Sequence, residues 1–121
     1  MIATPDPKPR KRYRATKQEW ADMHLAFKGS PCRVCGEPFQ SLHHIISRGQ
    51  SGDDVLVNLA PLCGTGNTGC HGLIEARDPE TRAALRRNLT DANRWYLEYR
   101  LGERADAWLD RNYPEVEQVA A

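Results

Sequence analysis

The stretch from Ser41 to Glu75, SLHHIISRGQSGDDVLVNLAPLCGTGNTGCHGLIE, decides the fold. It starts with two adjacent histidines, His43 and His44, on a short apolar run and ends with a third, His71, directly after Cys70. Neighbouring side chains on a strand point to opposite faces, so His43 and His44 cannot do the same job on one side of a sheet. "SLHHIIS" reads as a strand, "RGQSGDDV" as a loop and "NLAPLC" as a second short strand, with "CHGLIEAR" a short helix after it. Strand, loop, strand and helix thus fall within one short segment.

Four cysteines bracket this unit: Cys32, Cys35, Cys63 and Cys70. An even set suggests two disulfides in a secreted chain and a metal in a cytosolic one. "MIATPDPKPRKRYR" lacks the apolar core of a signal peptide, and no later run approaches the roughly 18 apolar residues of a membrane helix, so the expectation is a cytoplasmic chain with reduced thiols. Two thiolates two residues apart on a tight turn, as in Cys32-x-x-Cys35, take two corners of a tetrahedron at about 2.3 Å each. Cys63 and Cys70 are further apart, but the glycine-rich "GTGNTG" between them lets their ends converge. The expected site is a structural Zn²⁺ on all four sulfurs, against an unmetallated hairpin with buried thiols. Four thiolates leave no open position, so this site holds the fold and does no chemistry.

The histidines are what the cage presents. If His43 and His71 face each other across the seam between strand and helix, their neutral imidazoles hold one divalent cation. Glu75, four residues after His71 on the same helix face, is the candidate third ligand, or else an exposed helix carboxylate. His44 then stays free of metal, and an unperturbed pKa near 6.5 suits a general base acting on water. Asn58, before the second strand, is read as the amide that fixes the loop and so the hairpin presenting His44.

Around this core the chain of 121 residues is expected to hold a single α+β domain. Residues 1–15 read as a basic, flexible arm, 16–29 as an N-terminal helix, 30–77 as the zinc-stabilised core and 78–121 as a helical extension. Thr16 with Glu19 is a capping-box pattern, after which Trp20, Met23, His24 and Phe27 share one helix face; His24 there reads as packing rather than ligation. Asp78 before Pro79, and Thr90, cap two further helices, and a last short one runs from about Arg104 to Arg111. Formal net charge is only +1, yet Lys8, Arg10, Lys11, Arg12, Arg14 and Lys17 crowd the first segment while the tail is acidic. Two readings fit: an arm laid along phosphates, with Arg10, Lys11, Arg12 and Arg14 as contacts, or a solvated tail.

The histidine pair, Asn58 and the Cys70-His71 dipeptide within two cysteine pairs resemble the HNH endonucleases of the ββα-metal class, in particular those of bacteriophages and prophages. The resemblance runs from about Cys32 to Glu75. It implies a small ββα core and a nuclease that hydrolyses DNA phosphodiesters with Mg²⁺, Mn²⁺ or a transition metal. It also implies that His43 and His71 hold the metal, that His44 is the general base and that Asn58 is the middle asparagine. Relatives often carry His or Asn where this chain has Glu75, which bears on the third ligand and on metal preference. The resemblance further implies a phage source, with a terminase as a partner. With one constellation per chain, a double-strand break would take two copies, as in a homodimer, or two visits. The rival readings are a non-catalytic zinc-stabilised DNA-binding module and a packaging or recombination adaptor that docks through Trp95, Tyr99 and Trp108, aromatics that more often belong to a core.

Overall fold

A computed structural model of the chain describes residues 11–116. Helix α1 spans Lys17–Ala26 and opens on the expected capping box, in which the Thr16 side chain accepts from the Glu19 N–H and the Glu19 carboxylate accepts from the Thr16 N–H. Two antiparallel strands follow, β1 (Ser41–His44) and β2 (Leu59–Leu62), then α2 (Gly69–Glu75), α3 (Pro79–Arg87), α4 (Asp91–Leu101) and α5 (Ala105–Asn112). The architecture is α+β, with a ββα unit between helical flanks. No helix among the described residues is long and apolar enough to cross a membrane.

Alternation along β1 sorts its side chains between two layers. Leu42 joins Met23 and Leu59 in a small cluster under α1, edged by Trp20, Phe27 and Phe39. Ser41 and His43 face the other way, towards α2, where both meet His71. β1 is shorter than the run "SLHHIIS" suggests. Past His44, Ile45 and Ile46 turn into the main core with Leu62, Ile74, Leu85, Leu97 and Trp108.

Helices α3 to α5 close that core from the far side. Asp78 caps α3 through the Thr81 N–H, and Thr90 caps α4 through the Asn93 N–H. Buried Arg82 donates from Nε to the Ile74 carbonyl and from a terminal nitrogen to the Asn112 carbonyl, and its guanidinium lies over the Tyr113 ring at 4.9 Å. It thereby fixes the end of α5 against α2. The three aromatics considered as docking anchors separate: Trp108 is in the core, whereas Trp95 and Tyr99 are exposed and stacked on each other at 5.3 Å.

The basic segment behaves differently from a free arm over its described part. The Tyr13 N–H donates to Asp53, the Tyr13 carbonyl accepts from the Asp54 N–H, and the Ala15 N–H donates to Asp54. Residues 12–15 therefore lie as a strap on the loop between the strands. Arg10 lies outside the described residues.

Candidate metal centres and the cleft between them

Cys32 and Cys35 come from a turn ahead of β1, Cys63 from the end of β2 and Cys70 from the first turn of α2, and their four sulfurs converge within 4.8 Å of one another. The Cys35 and Cys63 sulfurs are 3.6 Å apart, close to the separation of about 3.8 Å that two thiolates at 2.3 Å from a tetrahedral zinc must have. Backbone N–H groups supply the usual support: that of Cys70 points at the Cys63 sulfur. At Cys32 burial raises the thiol, but surrounding N–H groups outweigh it and hold it at about 7, whereas burial and the neighbouring sulfurs push Cys70 up. A bound cation would hold such a cluster as thiolates, with their protons released to solvent. The cluster is therefore positioned to hold a metal, and its donor set suits zinc.

The wide spacing between Cys63 and Cys70 is closed by packing rather than by slack. Gly64 sits at φ +75°, and a Cβ there would lie 2.1 Å from the Thr68 carbonyl oxygen. Thr65 and Thr68 bond each other across the loop.

The second cluster is His43, His71 and Glu75, whose ligand atoms also lie within 4.8 Å of one another. Glu75 Oε1 is 3.5 Å from His43 Nδ1 and 3.4 Å from His71 Nε2. The opposite nitrogen of each ring is already engaged. Tyr113 has one hydroxyl proton and gives it to the Ile45 carbonyl at 2.8 Å, so at 2.8 Å from His43 Nε2 it accepts. Ser41 gives its proton to the Gly64 carbonyl at 2.7 Å, so at 2.6 Å from His71 Nδ1 it too accepts. Both protons are thereby placed on the outer nitrogens, and the inner lone pairs face the carboxylate. Burial lowers both histidines, which favours their neutral forms at pH 7, and a glutamate carboxylate is ionised at that pH. Three acceptors thus converge with no proton among them, and that is an environment a divalent cation satisfies. Ser41 and Tyr113 are the partners of these histidines that the sequence reading missed. Nothing in the spacing marks Tyr113, and Ser41 is legible only as the residue two before His43 on the same strand face.

His44 points away from this cluster, as strand alternation requires. Its ring stacks on Trp20 at 5.6 Å with 11° between planes, and its Nε2 lies 2.8 Å from Asp54 Oδ1. Asp54 is ionised. Burial opposes this, but the Ala15 N–H, the Arg12 guanidinium at 2.7 Å and His44 outweigh it and hold the carboxyl at about 2. An ionised carboxylate only accepts, so the His44 proton is on Nε2 and its lone pair on Nδ1. Arg12, one of the expected DNA contacts, has a side chain only 16% exposed and paired with Asp54. Lys11 and Arg14 are exposed.

Fully buried Asn58 accepts from the Ile46 N–H at 2.8 Å and donates to the carbonyls of Ile46 and Asp53, each at 3.0 Å. One side chain therefore pins both ends of the 46–53 loop. Gly52 helps close it, since a Cβ there would lie 1.7 Å from the Ile46 carbonyl oxygen.

A single open cleft of about 790 Å³ wraps the end of β1, so that His43, His71 and Glu75 share it with His44. Arg48, Arg77 and Arg82 also line it. The cleft offers three converging acceptors for a cation, an imidazole outside that cluster and positive charge at its walls.

Comparison with known proteins agrees with this geometry. A family model described as HNH endonuclease matches residues 32–73, the segment that runs from the first cysteine through the three histidines. No match is found among curated proteins or solved structures.

Proposed function

We propose that the chain, whose residues 32–73 match a family model described as HNH endonuclease, is a metal-dependent DNA endonuclease, with His44 as its general base and His43, His71 and Glu75 as the ligands of its working cation. One observation carries the reading: three converging metal-ligating groups and an imidazole outside their cluster line the same cleft.

His43, His71 and Glu75 would hold a divalent cation, which when bound would supply Lewis-acid polarisation of the phosphoryl oxygen and charge stabilisation for the leaving 3′ oxygen. The chain's own residues supply the rest. His44 takes a proton from water at Nδ1, because Nε2 is engaged with Asp54. Asn58 keeps the loop closed so that the base stays in place. Arg48 and Arg77, exposed at the cleft wall, meet the phosphates on either side of the bond that breaks. Phosphate contacts of this kind position DNA without reading its bases. One protomer carries one such site and cuts one strand at a time, so its primary product is a nick.

A supercoiled plasmid assay tests this. The zinc-loaded protein relaxes the plasmid with Mn²⁺ or Mg²⁺ and not with excess chelator, and His44→Ala reduces nicking by about 100-fold or more, the scale of a lost general base. Zinc-loaded wild type that binds DNA and never nicks it is instead a DNA-binding module.

A further inference from the structure

The loop between β1 and β2 carries two adjacent carboxylates, and both are buried, Asp53 at 2% and Asp54 at 5% exposure. A buried carboxylate is costly unless donors surround it. Asp53 accepts from the Tyr13 N–H and the Tyr96 hydroxyl, each at 2.6 Å, and from Arg100 at 2.9 Å, which ties the loop to α4. Asp54 is served differently. Oδ2 accepts from the Ala15 N–H at 3.0 Å, while Oδ1 accepts from Arg12 at 2.7 Å and from His44 Nε2 at 2.8 Å. Two of those three donors belong to the strap at residues 12–15. Arg48, the other cation nearby, is exposed and stands off at 3.7 Å.

We infer that Asp54 is a positioning residue for His44 and that the strap from Arg12 to Ala15 holds Asp54 in place, so that the first segment of the chain completes the catalytic base. The inference rests on the reading of His44 as that base. An ionised carboxylate fixes the proton on Nε2, leaves the lone pair on Nδ1 and stabilises the imidazolium once water has given up its proton. Trp20 restrains the ring on its face, and Asp54 restrains it along its edge. Arg12 and the Ala15 N–H in turn leave the carboxylate one orientation. A carboxylate that merely tied the strap to the loop would affect stability, with no effect on the tautomer of His44 or on the cleavage rate of folded molecules.

The test uses the full zinc-loaded chain. ¹⁵N spectra of the histidine rings in wild type are expected to show His44 protonated on Nε2; protonation on Nδ1 overturns the inference without any variant. Asp54→Asn, checked for zinc content and circular dichroism, is expected to mix the two tautomers. It should also lower single-turnover nicking at saturating DNA and Mn²⁺ by roughly 10- to 100-fold, with DNA affinity unchanged. Arg12→Ala is expected to lose rate at saturating DNA to a smaller degree, and Arg12→Lys to recover part of it. Wild-type rate with an unchanged tautomer in Asp54→Asn overturns the role of Asp54. Arg12→Ala with weaker DNA binding and full rate at saturation makes the strap a DNA contact and overturns its role here. The parent reading fails separately, through His44→Ala that nicks as fast as wild type.

Discussion

The Tyr113 hydroxyl stands 2.8 Å from His43 Nε2 and 2.8 Å from the Ile45 carbonyl, so a residue just after the last helix sets the tautomer of a histidine on the first strand. Tyr113→Phe keeps the buried ring and removes only that oxygen. Mn²⁺ affinity at the His43, His71 and Glu75 cluster should fall about 10- to 100-fold, read by electron paramagnetic resonance, with zinc content unchanged. Unfolding free energy should drop by about 1–3 kcal/mol, since the Ile45 carbonyl loses its donor.

Glu75 carries the only charge among the three acceptors. Glu75→Gln should therefore weaken Mn²⁺ binding and nicking together, while Glu75→Asp, shorter by one methylene, should retain a part of both. Isothermal titration with Mn²⁺ on zinc-loaded protein reads the first effect and plasmid relaxation the second.

Asp54 also gives a pH signature in stability. Its folded carboxyl titrates at about 2, below an ordinary unfolded value of about 3.9. A depressed value means that the stabilisation is fully present above about pH 4 and is lost as pH falls from there towards 2. The amount is about 2–3 kcal/mol, and solvent screens it little because the side chain is only 6% exposed. Urea unfolding of wild type and Asp54→Asn between pH 5 and 3 should show the two curves converging as pH falls.

Removal of the cage metal should be far more severe. Structural zinc binding in small domains contributes on the order of 10 kcal/mol, comparable with the whole stability of a domain this size. A strong chelator or Cys70→Ser should collapse the β1–β2 hairpin, seen as lost dispersion of the Leu42, Ile46 and Leu62 methyl resonances.

The parts legible in the sequence are those whose chemistry demands local spacing. The Cys32-x-x-Cys35 turn, the adjacency of His43 and His44, and the caps at Thr16, Asp78 and Thr90 each declare themselves within a few residues, and the structure places all of these caps. What stayed hidden depends on tertiary approach. Tyr113 meets His43 across 70 positions, and Arg12 meets Asp54 across 42. "RGQSGDDV" reads only as a loop, and nothing local shows that the strap and α4 bring donors that bury both of its carboxylates. The "GTGNTG" stretch reads as slack because glycine is permissive, whereas here glycine serves close backbone contact.

Mn²⁺ binding compared across two alanine variants tests the proposed division of labour between His43 and His44 most directly. With zinc loading verified, His43→Ala should lose high-affinity Mn²⁺, while His44→Ala should bind it as wild type does and yet fail to nick DNA. If His44→Ala loses Mn²⁺ as completely as His43→Ala, both rings serve the cation and the assignment of a separate base is wrong.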